Sequence, residues 1–395
     1  MKNKKHSDVF GDTSISVPFV VPMITSDDKK SILNALNSRL LTDGPILKKF
    51  EIEFAKYTGS KFAIGVSNAT SALQLSLIAC GIGKGDEVII PDITFVATAN
   101  AVLATGATPV IADVEKSDLN ISINSIKHNI TPKTKAIIPV HFAGKSCNMK
   151  QICNLAKKHD LKIIEDCAHS IGTKYNSRHV GNFGLSGCFS FYPTKNMTTI
   201  EGGMITCNTK KLAKFFISCR NHGILKTYAQ RFTSGFPWDY DIEKFGYNFR
   251  LDEIRSAMGL SQIKKINLWN KKRDNASKYY TNNLKKIKGI ITPEISNNEK
   301  HSWHLYVIKI KNPYGIKRNI LFKKLLNQGI RTSVHYKPLH KFTLYQKQAK
   351  SYSTLINASE AYEQILSLPL YPNITKKEQD VVIRNIANLS KSNSN

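Results

Sequence analysis

Short apolar runs alternate with stretches of helical periodicity between about residues 45 and 265. Seven runs have the length and composition of strands: residues 62–66, 87–91, 108–113, 136–140, 161–165, 187–190 and 203–207. Strands that alternate with helices favour a mostly parallel sheet, because the crossover helices return the chain to the same edge. We therefore expect an α/β fold with helices flanking the sheet.

The pattern changes near residue 266, where a long polar stretch over residues 267–286 has the periodicity of a helix. A smaller α+β portion follows and includes the apolar run over residues 304–310. We predict a flexible N-terminus over 1–15, a large domain over 16–265, a small C-terminal domain over 266–390 that closes over the substrate, and a tail over 391–395.

The composition is that of an ordinary globular protein, with 41% hydrophobic and 22% charged residues. No run approaches the roughly 18 consecutive apolar residues of a membrane span. Because residues 1–14 also lack the apolar core of a signal peptide, we expect a cytoplasmic protein with no membrane partner. The seven cysteines are scattered and form no C-x-x-C pair, so we expect buried reduced thiols and no metal site.

The formal net charge of +28 favours anionic partners such as nucleotide diphosphates, nucleic acids or an anionic membrane surface. The lysines are spread along the whole chain and are not interleaved with aromatic residues. A solvated lysine-rich surface explains this distribution better than a nucleic-acid site, since a basic field alone supplies only non-specific affinity. We therefore expect no nucleic-acid partner.

Asp166 and Lys195 carry the strongest chemical signal, since each lies just past an apolar strand-like run. Taken singly, an Asp after a strand can cap a helix and most lysines are solvated surface groups. Together they supply an acid for a pyridinium nitrogen and an amine for a Schiff base, as pyridoxal phosphate chemistry requires. Ligands of open α/β sheets bind beyond the carboxyl ends of the strands, where both residues are predicted.

Two further segments occupy similar places beyond predicted strands. Thr70 and Ser71 lie where the strand over 62–66 gives way to a helical pattern, and a helix N-terminus offers free N–H groups to a phosphate. Phe95 follows the strand over 87–91 and offers a face that can stack on a flat ring.

These motifs, taken in order, resemble the DegT-type sugar aminotransferases, which have the type I pyridoxal phosphate transferase fold. The resemblance begins at Leu41-Thr42-Asp43-Gly44-Pro45 and continues through the Asp166 and Lys195 segments to residues 246–250, 335–340 and 367–372. It therefore covers nearly the whole chain, and it implies pyridoxal 5'-phosphate as the cofactor.

By this resemblance, Lys195 binds the cofactor aldehyde and moves the substrate proton. Asp166 keeps the pyridine nitrogen protonated, and His169 lies beside the phenolic oxygen or stacks near the ring. A hydrogen-bonded core histidine is the alternative for His169. Sugar dehydratases of this family carry a histidine at the position of Lys195, so Lys195 favours transamination.

The remaining site residues are also implied by the resemblance. Thr70 and Ser71 hold the phosphate by backbone N–H groups and Ser190 by its hydroxyl, while Asn248 reaches the phosphate of the neighbouring subunit in a homodimer. Phe95 stacks on the cofactor ring. The alternatives are a locally bonded strand-end serine at Ser190, a turn residue at Asn248 and a core aromatic residue at Phe95.

Arg250 and His335 are weaker candidates for binding the nucleotide diphosphate or the donor carboxylate, because a guanidinium or an imidazolium suits these anions. Either residue can instead have an ordinary structural role in a helix or loop.

The implied reaction transfers an amino group from L-glutamate to a nucleotide-linked keto-deoxysugar. We expect amination at C4, because relatives acting there often carry histidine at the position of His169 and those acting at C3 often carry glutamine. A 3-aminotransferase, a dehydratase and a catalytically silent regulator of the same fold remain alternatives.

Two positions depart from the family pattern: Leu185 replaces an acid of the glycine-rich turn, and Ile200 replaces a glycine before Glu201. The resemblance constrains the aromatic-rich segment over 226–241 only poorly, and this segment is a candidate for shaping the sugar site.

Overall fold

The computed structural model describes residues 16–225, 231, 233, 236–294 and 299–391. The helices are α1 (Ser26–Leu36), α2 (Pro45–Thr58), α3 (Ala69–Ala79), α4 (Ala97–Leu103), α5 (Ile123–Asn129), α6 (Met149–Lys158), α7 (Lys210–Cys219), α8 (Glu253–Gln262), α9 (Ile266–Leu284), α10 (Arg318–Asn327), α11 (Thr343–Gln348), α12 (Ile356–Gln364) and α13 (Lys376–Lys391). The strands are β1 (Phe62–Val66), β2 (Glu87–Pro91), β3 (Thr108–Ala112), β4 (Thr134–Ile137), β5 (Lys162–Asp166), β6 (Lys174–Tyr175), β7 (Arg178–His179), β8 (Ser186–Ser190), β9 (Gly203–Cys207), β10 (Ile290–Ile291), β11 (Glu299–Lys300), β12 (Tyr306–Ile310) and β13 (Ile365–Leu368).

A seven-stranded sheet in the order β1-β9-β8-β5-β4-β2-β3 forms the centre of the molecule. Strands β3, β2, β4, β5 and β8 pair in parallel, whereas β9 is antiparallel to both of its neighbours. The predicted α/β fold with a mostly parallel sheet is confirmed. All seven predicted strands are present with ends shifted by up to three residues. Strand β4 ends before Pro139, which has no N–H for a ladder.

Helices cover both faces of this sheet, as the alternation along β2 shows. Val88 and Ile90 pack in a core with α3, α4 and α7, whereas Ile89 packs with α5 and α6 on the opposite face. Successive side chains of a strand point to opposite faces, so a strand buried on both faces is apolar throughout. This explains why the central strands are continuous apolar runs in the sequence.

A second core lies in the C-terminal part of the chain, where β10, β12 and β13 form an antiparallel sheet. Tyr306 and Ile308 of β12 pack there with apolar residues of α9, α10 and α13. Val17 also lies in this core and forms a parallel bridge with Ile330, although the predicted boundaries place it in the large domain. The N-terminal segment thus crosses to the C-terminal unit, which no local pattern indicates.

The predicted N-terminal flexible segment lies outside the described residues, as does the tail beyond Lys391. Helix α13 includes Lys391, the first residue of that tail. Strand β11 does not join the C-terminal sheet: it pairs with β6 in a separate three-stranded sheet of the order β11-β6-β7. Among the described residues, no helix combines the length and apolar character needed to cross a bilayer.

Glu253 fixes the start of α2 from a distant part of the chain. Its fully buried carboxylate accepts hydrogen bonds from the backbone N–H groups of Gly44, Ile46 and Leu47, at 3.1, 2.8 and 2.9 Å. An anion at a helix N-terminus satisfies donors that the helix itself leaves free. A Cβ at Gly44 would lie 2.6 Å from Oε2 of Glu253, so only glycine fits this position.

We predict that Glu253→Gln lowers the free energy of unfolding by about 2 kcal/mol, because a buried amide cannot accept all three bonds and places its own donor among N–H groups. Urea unfolding at a fixed protein concentration measures the change. Glu243→Gln, which changes an exposed side chain, is the matched control. Equal stability of the two variants would contradict the capping role.

Candidate active site

Four predicted site residues lie at the carboxyl edge of the central sheet. Thr70 is in the first turn of α3 after β1, and Phe95 lies between β2 and α4. Asp166 is the last residue of β5, and Lys195 lies in the loop after the neighbouring strand β8. The topology therefore brings together residues that are far apart in the sequence, as expected for an open α/β sheet.

Asp166 is a buried carboxylate that accepts hydrogen bonds from neutral donors. Its Oδ2 accepts from the hydroxyl of Thr98 at 2.9 Å, and its Oδ1 accepts from the N–H of Ala168 at 3.1 Å. Burial raises the pKa of Asp166, while these bonds and the charge of Lys195 act in the opposite direction. Such a carboxylate can still accept a hydrogen bond from a cationic ring nitrogen, which would restore its ordinary ionisation.

Lys195 lies in the loop over residues 191–202. Three backbone bonds order this loop: the N–H groups of Phe191, Lys195 and Thr199 donate to the carbonyls of Gly202, Tyr192 and Phe191, at 2.9, 2.9 and 3.0 Å. Burial lowers the pKa of the Lys195 amine to about 8, and the nearby charge of Asp166 opposes that shift. About a tenth of the amine is therefore neutral and nucleophilic at pH 7, far more than for a lysine of ordinary pKa.

His169 belongs to a buried aromatic cluster next to Lys195. Its Nε2 lies 3.0 Å from the hydroxyl of Tyr336, and its ring centroid is 4.4 Å from that of His304. Burial, with the charge of Lys195, holds the pKa values of both histidines well below the ordinary range. His169 Nδ1 is buried and has no hydrogen-bond partner among the described residues, which marks a place for a ligand atom.

Three polar residues of the site were missed by the sequence analysis: Thr98, His304 and Tyr336. Thr98 lies one helical turn after Thr94, with which it shares a 2.8 Å hydrogen bond, so its spacing offered a weak signal. His304 and Tyr336 come from the C-terminal unit. No periodicity in the sequence connects them with His169.

The N-terminus of α3 corrects one prediction for the phosphate cradle. Asn68 caps this helix, and its Oδ1 accepts from the backbone N–H of Ser71 at 2.8 Å. The Ser71 N–H is therefore not free for a phosphate, because the side chain at the N-cap satisfies the N3 amide. Within the described residues, the N–H groups of Ala69 and Thr70 have no such partner and remain available.

Ser190 lies close to this helix terminus. It pairs with Gly203 in the ladder between β8 and β9, and the Cα of Gly203 lies against the backbone of Asn68 and Ala69. A Cβ at Gly203 would come within 2.5 Å of the carbonyl carbon of Asn68, so glycine permits this close approach. The Ser190 hydroxyl accepts a long bond of 3.4 Å from the N–H of Tyr192.

Asn248 and Arg250 lie on the segment that follows the predicted sugar-site region. Asn248 is exposed and forms an antiparallel bridge with Asn221. The guanidinium of Arg250 donates to Oδ1 of Asn221 at 2.5 Å. The same segment reaches the α3 loop, since the N–H of Ser67 donates to the carbonyl of Phe249 at 2.9 Å.

Phe95 is exposed at the carboxyl edge of the sheet. Its side chain is 57% exposed, and its ring lies 5.9 Å from that of Tyr336. Phe95 is therefore not the core aromatic residue that was its structural alternative.

His335 differs from expectation. Its Nδ1 is bonded to the hydroxyl of Ser367 at 2.8 Å, its ring stacks on Phe19 at 5.5 Å, and burial lowers its pKa to about 3. Burial therefore favours a neutral imidazole at neutral pH, and the binding of an anion by His335 stays a prediction. Together with Lys195 and His304, it lines a cavity of about 50 Å³.

A cluster of His141, Glu165 and Cys167 has the composition of a metal site, but its oxygen and nitrogen atoms are already bonded. Glu165 accepts from the N–H groups of Gly181, Phe183 and Gly184 at 2.8, 2.6 and 2.9 Å. It also lies 3.1 Å from Nε2 of His141, whose Nδ1 accepts from the N–H of Cys147. These bonds give the cluster a structural role in holding the turn that contains Leu185.

The sequence model of the DegT/DnrJ/EryC1/StrS aminotransferase family matches residues 22–387. The chain belongs to this family. The type I transferase fold and the resemblance drawn from the sequence are thereby confirmed.

Individual members of the family are similar over nearly their whole length. The spore coat polysaccharide biosynthesis protein SpsC of Bacillus subtilis is 38% identical over 378 residues, which cover 95% of this chain and 97% of SpsC. Helicobacter pylori PseC, an aminotransferase involved in the biosynthesis of pseudoaminic acid, is 33% identical in sequence to this chain. The two structures match with a TM-score of 0.88, over 95% of this chain and 99% of PseC.

Spr1654 from Streptococcus pneumoniae is 28% identical and has been solved in PMP and PLP forms, with TM-scores of 0.89 and 0.87. The PMP form covers 95% of this chain and all of that chain. The chain is thus a sugar aminotransferase of a pyridoxal phosphate-dependent family that acts in sugar and polysaccharide biosynthesis.

Ile200, which replaces a family glycine, adopts a left-handed backbone conformation with φ of 72°. Glycine reaches this region without strain, whereas a β-branched residue does so at a cost. The side chain is also 57% exposed, so its burial does not offset that cost. The lysine loop therefore places a β-branched residue in a backbone conformation that glycine adopts without strain.

We predict that Ile200→Gly raises the free energy of unfolding by about 1 kcal/mol, because the strain at positive φ is relieved. Ile200→Ala keeps the Cβ and the strain, so it serves as the control and should change stability little. Urea unfolding of both variants at equal protein concentration measures the difference. A loss of stability in Ile200→Gly would show that the isoleucine side chain itself stabilises the loop.

Proposed function

We propose that this protein moves an amino group from L-glutamate to the keto group of a nucleotide-linked deoxysugar, with Lys195 as the catalytic lysine. The observation that carries the proposal is the Lys195 amine, whose pKa is lowered to about 8 next to the buried carboxylate of Asp166. A lysine of ordinary pKa would be almost wholly protonated at neutral pH and unable to act as a nucleophile or a base.

The residues of the site fit pyridoxal phosphate. Asp166 has buried acceptor capacity for a protonated ring nitrogen, and the α3 terminus offers the N–H groups of Ala69 and Thr70 to a phosphate. The hydroxyl of Ser190 would complete that cradle, and the exposed face of Phe95 would cover the ring. When bound, the cofactor supplies an electron sink for the carbanion that forms when the substrate proton leaves.

Lys195 then acts as the proton carrier of both half-reactions. Its neutral Nζ takes the proton from the α-carbon of L-glutamate and returns a proton as the amino group is transferred. The charge of Asp166 keeps the Lys195 pKa from falling further, so the amine can be protonated and deprotonated near neutral pH. The buried, neutral histidines next to it exclude water and add no competing charge.

His169 is the residue from which we infer amination at C4 of a 4-keto sugar. It occupies the position at which the family separates C4 enzymes, which often carry histidine, from C3 enzymes, which often carry glutamine. Lys195 argues against the dehydratase alternative, because dehydratases of this family carry histidine in its place. Turnover itself separates an enzyme from a silent regulatory relative.

We further propose a homodimer in which Asn248 reaches the phosphate site of the neighbouring subunit. Homodimers are typical of this family. Asn248 is exposed, and the preceding segment presents Phe236, Trp238 and Phe245 with 61, 74 and 77% of their surfaces exposed. Large apolar side chains exposed together are typical of an interaction surface, and a partner subunit would bury them.

We predict that the purified protein with pyridoxal phosphate absorbs visible light as the bound aldehyde form, and that L-glutamate alone converts it to the amine form. Subsequent addition of nucleotide-linked 4-keto-6-deoxysugars should regenerate the aldehyde form and yield a product aminated at C4, which NMR locates. Lys195→Ala, which removes the amine, is the control and should not turn over. Amination at C3 would contradict the assignment from His169, and turnover by Lys195→Ala would contradict the mechanism.

We also predict that the rate of pyridoxal phosphate capture by the cofactor-free protein rises with pH around a midpoint of about 8, because the lowered pKa of Lys195 sets the fraction of neutral amine. Asp166 raises the Lys195 pKa, so Asp166→Asn should move the midpoint to lower pH. Stopped-flow absorbance across the pH range measures both. A midpoint near the ordinary lysine value of about 10.4 would contradict the assignment.

A further inference from the structure

The geometry points to Tyr336 as a positioning residue: we propose that it donates its O–H to Nε2 of His169, fixes the His169 proton on Nδ1, and so creates a buried donor for a ligand oxygen. This inference deepens the proposed function and rests on it only for the identity of the ligand. The position of the His169 proton is a property of the protein without any ligand.

The first observation is the contact itself. The Tyr336 hydroxyl lies 3.0 Å from Nε2 of His169, and the two rings stack at 5.9 Å with 25° between their planes. His169 is buried, and its Nδ1 has no partner among the described residues. The ring therefore has one nitrogen committed to Tyr336 and one that is free for a ligand.

The second observation concerns protonation. Burial holds the pKa of His169 well below its usual range and raises the pKa of Tyr336, so both groups are neutral at pH 7. A neutral imidazole carries one N–H. A hydrogen bond accepted by one ring nitrogen leaves the proton on the other ring nitrogen. A phenol is a stronger donor than a neutral imidazole, and an imidazole nitrogen is a stronger acceptor than a phenol oxygen. The bond therefore runs from Tyr336 to His169.

Packing keeps His169 in this orientation. His304 lies against one side, with ring centroids 4.4 Å apart, and Phe142 makes an edge contact at 6.3 Å. Tyr336 is itself held between Phe95 and Phe142 at 5.9 and 6.5 Å. Neither ring can turn to give Nδ1 a protein partner without disturbing these contacts.

An unpartnered buried N–H is costly, which favours a ligand acceptor such as a phenolate oxygen of the cofactor or an oxygen of the sugar. Tyr336 thus acts through His169 and does not itself need to touch the ligand. Replacing it would change what His169 offers to that oxygen while leaving the histidine in place.

The test is ¹⁵N NMR of the cofactor-free protein labelled at histidine. We expect His169 of the unsubstituted protein to carry its proton on Nδ1, and Tyr336→Phe to shift it toward the Nε2–H form that free imidazole side chains favour. Tyr314→Phe is the matched control, because it removes a buried phenolic bond of 2.6 Å to the carbonyl of Ile386 in the C-terminal core. His169 should be unchanged in that control.

A His169 proton on Nε2 in the unsubstituted protein overturns the proposal, and so does an unchanged tautomer in Tyr336→Phe. If Tyr336→Phe does not fold, the unsubstituted protein alone still decides the direction of the bond. Pyridoxal phosphate affinity is the second readout, with a loss of about fivefold in Tyr336→Phe and none in the control. If Tyr336→Phe shifts the His169 tautomer but binds pyridoxal phosphate with unchanged affinity, the role of the Nδ1 proton in binding is contradicted. If neither the unsubstituted protein nor the variants bind the cofactor, the proposed function is contradicted, while the tautomer result still stands.

Discussion

The site depends on two opposite charges held out of water at one edge of the central sheet. Asp166 ends β5 and Lys195 follows the adjacent parallel strand β8. Burial alone would neutralise both groups, since it raises the pKa of the acid and lowers that of the amine, and the charge of each partner opposes the shift of the other. The result is an amine with a pKa of about 8 next to a carboxylate that can accept a hydrogen bond from a cationic group.

The rest of the molecule supports this pair in two ways. The large sheet fixes the strand ends, because helices cover both faces and the apolar residues of its strands are buried against them. The C-terminal unit then adds polar but uncharged groups, namely His304, His335 and Tyr336, around the amine. Because these groups are neutral at pH 7, Lys195 keeps the acid as its principal charged partner.

Much of this arrangement follows from the sequence, for a physical reason. Asp166 ends an apolar strand, while Lys195, Thr70 and Phe95 each follow one, and a parallel sheet must gather such positions at one edge. The long helix α9 was equally visible, because its polar and apolar positions repeat with helical periodicity. Local sequence patterns were sufficient to predict the position of a residue that directly follows a recognisable strand or helix.

The sequence was insufficient where placement depends on tertiary contacts. His304 and Tyr336 reach His169 from the C-terminal part of the chain, and Val17 joins a core formed by residues near the other end of the chain. The Ser71 amide was predicted to be free, yet the side chain of Asn68 caps it. His335 was expected to be charged, but burial keeps it neutral. Each difference arises from a neighbour or from burial that one-dimensional periodicity does not encode.

The central claim is that Lys195 is the residue to which the cofactor aldehyde attaches, and covalent trapping tests it most directly. The protein loaded with pyridoxal phosphate is reduced with borohydride, digested, and examined by mass spectrometry for a lysine that carries the pyridoxyl group. We expect stoichiometric labelling of Lys195, with other lysines labelled only at trace levels. Labelling of another lysine, or the same labelling pattern after unfolding, would contradict it.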